Sequence, residues 1–277
     1  MLEFFKMHAT GNDFLLLDGI KTDLSKVGAC CNIPLLVKKL CHRRFGIGAD
    51  QVLILRKGKS QDFFMEVWNA DGSQAEMCGN GIRSFAHFLK LKNYTDDQEI
   101  PVETLGGLVR AKILSETSFQ KNNQEFEVQV DMGEPSPRKK KTVEFGAEIL
   151  ELTTISFGNP HAVVFVKDLE NYPVSKVGPF LENHPFFPNR TNVEFVEVQD
   201  RDRLLQRTWE RGSGETFSCG TGACAVAVVS SERGLCGRKT EVLLKGGTLK
   251  IFWDDETGHV FLTGPSVLVS EGIFYVI

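Results

Sequence analysis

The chain has 277 residues, 42% of them apolar and 25% charged, with a net charge of −4 at neutral pH. That length suits one large or two medium domains, each with a real core. The balance argues against disorder and against a basic nucleic-acid or membrane-surface binder, and no apolar run approaches the ~20 residues that cross a bilayer.

The N-terminus, Met1-Leu2-Glu3-Phe4-Phe5-Lys6, lacks a basic segment followed by a long apolar one, so no secretory leader is expected. Residues 2–8 and 13–18 read as strands around the polar turn Ala9-Thr10-Gly11-Asn12, which can aim the Asn12 amide into a cleft. A helix is predicted over 33–43, with Pro34 near its start. Phe45-Gly46-Ile47-Gly48 precedes the strand Val52–Leu55 instead of opening a helix, so it is not a dinucleotide loop. The strand Phe63–Trp68 ends in the turn Asn69-Ala70-Asp71-Gly72-Ser73. A helix follows over Ile82–Lys92, then a hairpin of Val102–Leu105 and Leu108–Leu114. Polar Ser115–Gln124 is the expected domain junction.

The second half repeats this style. Phe126–Met132 alternates as a strand, and Pro135–Lys141 reads as a solvated loop with a basic run. Strands are predicted over 149–157, 162–166, 193–198 and 204–209, with a helix over Tyr172–Phe187. Ala223 to about Arg233 is apolar all round and is predicted to be a buried helix. Strands near 240–245, 247–253 and 259–263, then one more at the C-terminus, complete the chain. The pattern predicts an α+β fold. Two similar pseudo-symmetric domains, 1–117 and 118–263, would each wrap a curved, mostly antiparallel sheet or barrel around a central helix.

Seven cysteines, with no C-x-x-C pair, favour reduced thiols over a disulfide framework or a zinc ribbon, and no metal is expected. Cys30, Cys31, Cys41, Cys224 and Cys236 read as packing residues. Cys78 and Cys219 do not. Cys78-Gly79-Asn80-Gly81 and Cys219-Gly220-Thr221-Gly222 share one grammar, a cysteine and Gly-polar-Gly opening a helical run, at an offset of 141 residues. Gly11-Asn12-Asp13-Phe14 and Gly158-Asn159-Pro160-His161 echo each other at an offset of 147. Two matches at nearly one offset point to a duplicated domain. Each helix start offers free N–H groups and a partial positive charge, which bind a carboxylate and favour a thiolate.

If the halves face each other, Cys78 and Cys219 meet across one cleft. Paired thiols suit redox exchange, metal binding with further ligands, or inversion of a stereocentre by two opposed bases. The third option needs preorganised donors for the developing carbanion, and Gly79, Asn80, Gly220 and Thr221 can supply them. His161 and Glu210 are plausible neighbours that balance the coupled thiol titrations.

In these motifs, in Asn69-Ala70-Asp71-Gly72-Ser73 and in Glu210-Arg211-Gly212-Ser213-Gly214-Glu215-Thr216, the chain closely resembles diaminopimelate epimerase, from Gly11 to Pro265. The resemblance implies cofactor-independent interconversion of LL- and meso-diaminopimelate for lysine and peptidoglycan synthesis, in the cytoplasm and as a homodimer. It implies that the last strand, 264–277, returns to the first domain. It implies that Cys78 and Cys219 are the acid–base pair and that His161 and Glu210 tune them. Asn12, Gln51, Asn69, Asn159, Asn192, Glu210 and Arg211 would contact the substrate, while Gly79-Asn80 and Gly220-Thr221 cradle its carboxylate. The planar fork of Arg211 also suits a distal carboxylate on its own chemistry. Ser84 stands where that family often has another cysteine. Related two-cysteine racemases of the proline or hydroxyproline type usually carry His at the position of Asn80, and phenazine-type isomerases lack the thiol pair. A thiol redox protein and a non-enzymatic binding module are the readings from other classes. Which cysteine serves which face of the substrate stays open.

Overall fold

The computed structural model describes residues 1–27, 32–116 and 125–275. The chain divides into two compact units, Met1–Val130 with Gly264–Ile277, and Asp131–Thr263.

The first unit contains β1 (Leu2–Ala9), β2 (Asn12–Asp18), α1 (Ile33–Cys41), β3 (Gln51–Lys57), β4 (Phe63–Asn69), the short β5 (Gln74–Ala75), α2 (Gly79–Leu91), β6 (Glu99–Thr104), β7 (Gly107–Glu116) and β8 (Glu125–Asp131). The second contains β9 (Lys139–Phe145), β10 (Glu148–Ser156), β11 (Pro160–Phe165), α3 (Val174–Glu182), β12 (Asn192–Val198), β13 (Arg203–Glu210), β14 (Gly214–Thr216), α4 (Gly220–Glu232), β15 (Lys239–Leu244) and β16 (Gly247–Trp253). The last strand, β17 (Val260–Phe274), pairs with β16 through Val260–Thr263 and with β1 through Val267–Phe274. The sequence reads it as two strands because Gly264 and Pro265 interrupt the pattern.

Hairpins supply most pairings, but every helix is a crossover between parallel strands. The parallel pairs are β2 with β3, β4 with β6, β11 with β12, and β13 with β15. A parallel pair needs such a connection because a tight turn cannot reverse the chain twice.

The repeat is exact in register. Leu53 pairs with Val67 on β3 and β4, and Glu194 pairs with Thr208 on β12 and β13. Phe14 pairs with Gln51, and His161 with Asn192. Each unit packs a central helix against its strands, and α1 and α3 join further buried apolar clusters. Helix α2 packs on β1, β2, β3 and β7, while α4 packs on β10, β11, β12, β13, β15 and β16. Sheet all round explains why α4 has no polar face, and it is buried from Gly220 to Ser230.

Local chemistry moves some boundaries. Helices α2 and α4 begin at Gly79 and Gly220, three residues before the predicted starts, because Cys78 and Cys219 occupy the N-cap in extended conformation. Glycines hide a helix start from propensity alone. Helix α3 covers only Val174–Glu182 of the predicted 172–187. Pro185 keeps the residue before it out of helical geometry. The basic run Lys139–Lys141 is not a loop; it opens the exposed strand β9, paired with β10. The expected junction at 117/118 lies outside the described residues, as do Cys30 and Cys31. The division between units falls after Val130, so most of β8, read from sequence as part of the second half, belongs to the first. Phe126 packs 4.3 Å from the His87 ring, and Val128 and Val130 are buried. Among the described residues no helix is long and apolar enough to cross a membrane.

Candidate active site

The first unit gathers Asn12, Cys78 and Asn80 at the start of α2. The turn before β2 places Thr10 and Gly11 at φ 49° and 83°, and it delivers Asn12 to the helix end. Asn12 Oδ1 accepts from Asn80 Nδ2 at 3.5 Å and from the Cys78 thiol at 3.9 Å, and the Gly81 N–H donates to Cys78 Sγ at 3.4 Å. Asn12 is anchored in turn, Nδ2 donating to Asp50 at 2.9 Å. Burial pushes the neighbouring Asp13 carboxyl up, but hydrogen bonds from Arg43 and Lys6 outweigh it and leave the group at about 2. Gln51 and Asn69 face each other in register on β3 and β4, with Gln51 Nε2 donating to Asn69 Oδ1 at 2.8 Å. Ser84, one turn into α2, is buried and accepts from Ser266 at 3.3 Å.

The second unit gathers Asn159, His161, Cys219 and Thr221. Cys219 is buried, its sulfur 3.5 Å from Thr221 Oγ1. Asn159 Nδ2 donates to Thr221 Oγ1 at 3.1 Å, and Asn159 Oδ1 lies 3.1 Å from His161 Nε2. Burial first, then the charges of Glu210 and Glu194, push the Cys219 thiol well above its ordinary range against hydrogen bonds from Thr221 and Gly222. Glu210 accepts from Thr216 at 2.6 Å. Asn192 Oδ1 accepts from the Arg211 backbone at 2.9 Å, while the exposed Arg211 guanidinium donates to the Asn189 carbonyl. Gly79, Gly220 and their neighbours form the first turns of α2 and α4, where N–H groups have no partner further back in the helix.

Sequence reading passed over Glu194, Gln206 and Thr208. The signal was one acidic residue inside the apolar strand Val193-Glu194-Phe195-Val196, all of it buried. Glu194 accepts from His161 Nδ1 at 2.8 Å, Gln206 Nε2 at 2.8 Å and Thr208 Oγ1 at 2.7 Å. Among the described residues, His161, Glu194 and Cys219 form the one group whose donor atoms cluster closely enough to hold a metal, all within 4.8 Å. Both Glu194 oxygens and His161 Nδ1 are already spent on hydrogen bonds, so the cluster reads as a bonded network.

The family model of diaminopimelate epimerase matches residues 4–137 and 153–269. Curated relatives with that name include one from Moorella thermoacetica, 42% identical with 99% of each chain covered. Another, from Leptospira biflexa, is 41% identical with 98% of each covered. Among solved structures, a phenazine biosynthesis protein of the PhzF family from Bacillus anthracis superposes with a TM-score of 0.73 at 16% identity, covering 98% of each chain. At that identity it supports the fold alone. The motif-level resemblance, the repeated helix-capping cysteines and these matches agree: the chain belongs to the diaminopimelate epimerase family.

Proposed function

We propose that this protein interconverts LL- and meso-diaminopimelate without a cofactor, by two-base proton transfer at the α-carbon. The single observation carrying the mechanism is that each unit places one thiol at the N-cap of its central helix. One sulfur, as thiolate, removes the α-proton; the other, as thiol, delivers a proton to the opposite face. The two sulfurs finish with exchanged protonation states, which solvent resets before the next turnover in the same direction. The carbanion between the two steps needs charge stabilisation, and the N–H groups of Gly79-Asn80 and Gly220-Thr221 are assigned to the reacting carboxylate. The direction of the Cys219 shift supports treating it as the resting acid.

Asn12, Gln51, Asn69, Asn159 and Asn192 are assigned to the substrate's polar groups, Arg211 to its distal carboxylate, and His161 and Glu210 to the thiols. The same reading, supported by family membership, places the enzyme in lysine and peptidoglycan precursor synthesis, in the cytoplasm and as a homodimer. The test is turnover of LL-diaminopimelate by purified, reduced protein in deuterated water, with proline, hydroxyproline and glutamate as controls. Deuterium at the product α-carbon is expected, and Cys78→Ala and Cys219→Ala should each abolish inversion while remaining folded. A fully active single variant would sink the two-base mechanism, and preferential turnover of proline would reassign the substrate.

A further inference from the structure

The two units share a fold and a strand register, yet they differ in what lies beneath the helix start. In the first unit, Phe14, Leu53, Met65 and Val67 are buried and apolar. Their partners by register in the second unit are His161, Glu194, Gln206 and Thr208, equally buried and all polar. The fold therefore accepts leucine where the second unit keeps a carboxylate. Burying a carboxylate is costly unless every oxygen is satisfied, and an apolar replacement of similar size is often no less stable. Stability does not explain Glu194.

Its bonds do more than satisfy it. Oε2 is fixed by Gln206 and Thr208, and Oε1 is left to His161 Nδ1 at 2.8 Å. A carboxylate only accepts, so Nδ1 carries a hydrogen, and Nε2 is turned toward a second acceptor, Asn159 Oδ1 at 3.1 Å, to which it donates in turn. From there the chain runs through Asn159 and Thr221 to the Cys219 sulfur, by contacts of 3.1 and 3.5 Å. Gly222, in the first turn of α4, leaves the space: a Cβ there would lie 2.5 Å from Glu194 Oε1. In the first unit the corresponding line stops at Asn12, because the next position is Phe14.

We propose that Glu194 is a positioning residue for epimerisation: it holds a hydrogen on His161 Nδ1 and fixes the ring's orientation and, through Asn159 and Thr221, the Cys219 end of the site. This rests on the proposed epimerase function. The structural half can be tested separately, by side-chain ¹⁵N NMR of the histidines in the intact protein, with His161→Gln used for assignment. The parent His161 ring is expected to show a hydrogen held on Nδ1; an Nε2–H tautomer with free Nδ1 would overturn the proposal without any variant. Glu194→Gln presents an amide donor to the ring. It should strip the hydrogen from Nδ1, leaving one on Nε2 alone, and lower kcat on the order of 10–100-fold, as expected for misplaced catalytic groups, with KM little changed. A folded variant with parental kcat would overturn the proposal, as would one with an unchanged ring signal. If the parent itself fails to turn over diaminopimelate, the functional reading falls, while the tautomer result still decides whether Glu194 sets the ring.

Discussion

Gly222→Ala offers the sharpest structural test, because the first unit supplies its own control. An added Cβ at Gly222 would stand 2.5, 2.6 and 2.7 Å from Oε1, Cδ and Oε2 of Glu194. Contacts under 3.0 Å do not persist, so the carboxylate must retreat by several tenths of an ångström or more. It is held by three bonds of 2.7–2.8 Å. Losing one or two of these charge-assisted bonds costs about 1.5–3 kcal/mol each. Better helix propensity returns about 1 kcal/mol. The net expectation is a loss of about 0.5–5 kcal/mol, at its upper end a large share of a typical domain's stability. At Gly81, the same position in α2, the nearest atoms to an added Cβ are Cys78 Cβ at 3.2 Å and the Leu53 methyls at 3.3 Å. Gly81→Ala should therefore cost no more than about 1 kcal/mol. Guanidinium unfolding followed by tryptophan fluorescence would compare the two. The double variant Gly222→Ala/Glu194→Leu, which copies the first unit, should recover most of the loss as a coupling energy. Equal destabilisation by the two alanines, or no coupling in the double variant, would refute the reasoning.

Other outcomes follow from the same geometry. Alkylation of Cys219 by iodoacetamide should stay slow until well above pH 9, and Glu210→Gln should shift its profile to lower pH; rapid labelling at pH 7 would contradict this. Cys41 and Cys236, pushed by burial to about 12 and about 11, should stay unlabelled alongside it. The Asp13 carboxyl sits at about 2 when folded against an ordinary 3.8, so its contribution is complete above about pH 4 and lost as pH falls toward 2. Asp13→Asn should flatten acid unfolding in that window, and an unchanged acid curve would count against the Arg43 and Lys6 contacts. Gly178→Ala would put a Cβ 2.6 Å from the Trp209 ring, and should cost about 1–3 kcal/mol by overpacking, read from the unfolding midpoint. Arg211→Lys should raise KM about tenfold or more with little effect on kcat, since a point charge replaces a planar fork.

Much of the architecture was legible because the chain repeats itself. The two Cys-Gly-polar-Gly runs and the Gly-Asn pairs stand at offsets of 141 and 147 residues, and both cysteines cap helices. Alternation gave most strands within a residue or two, and the apolar composition of α4 announced its burial. The misses share a cause in tertiary context. β9 opens on a basic run that strand propensity disfavours and is held by pairing with β10. Helix α3 ends early at a proline-rich segment, and β8 joins the first unit because its buried face packs there.

Local chemistry alone marked the two thiols as the residues that stand before each helical run, though not the residue at which each helix opens. Only the folded sheet decided that the two thiols are unlike. Glu194 and Leu53 occupy one place in two copies of the same ladder, and a strand's period cannot reveal that a buried carboxylate meets a histidine from one neighbouring strand and a hydroxyl from the other. The histidine contact depends on register between segments more than thirty residues apart, which exists only once the strands have paired.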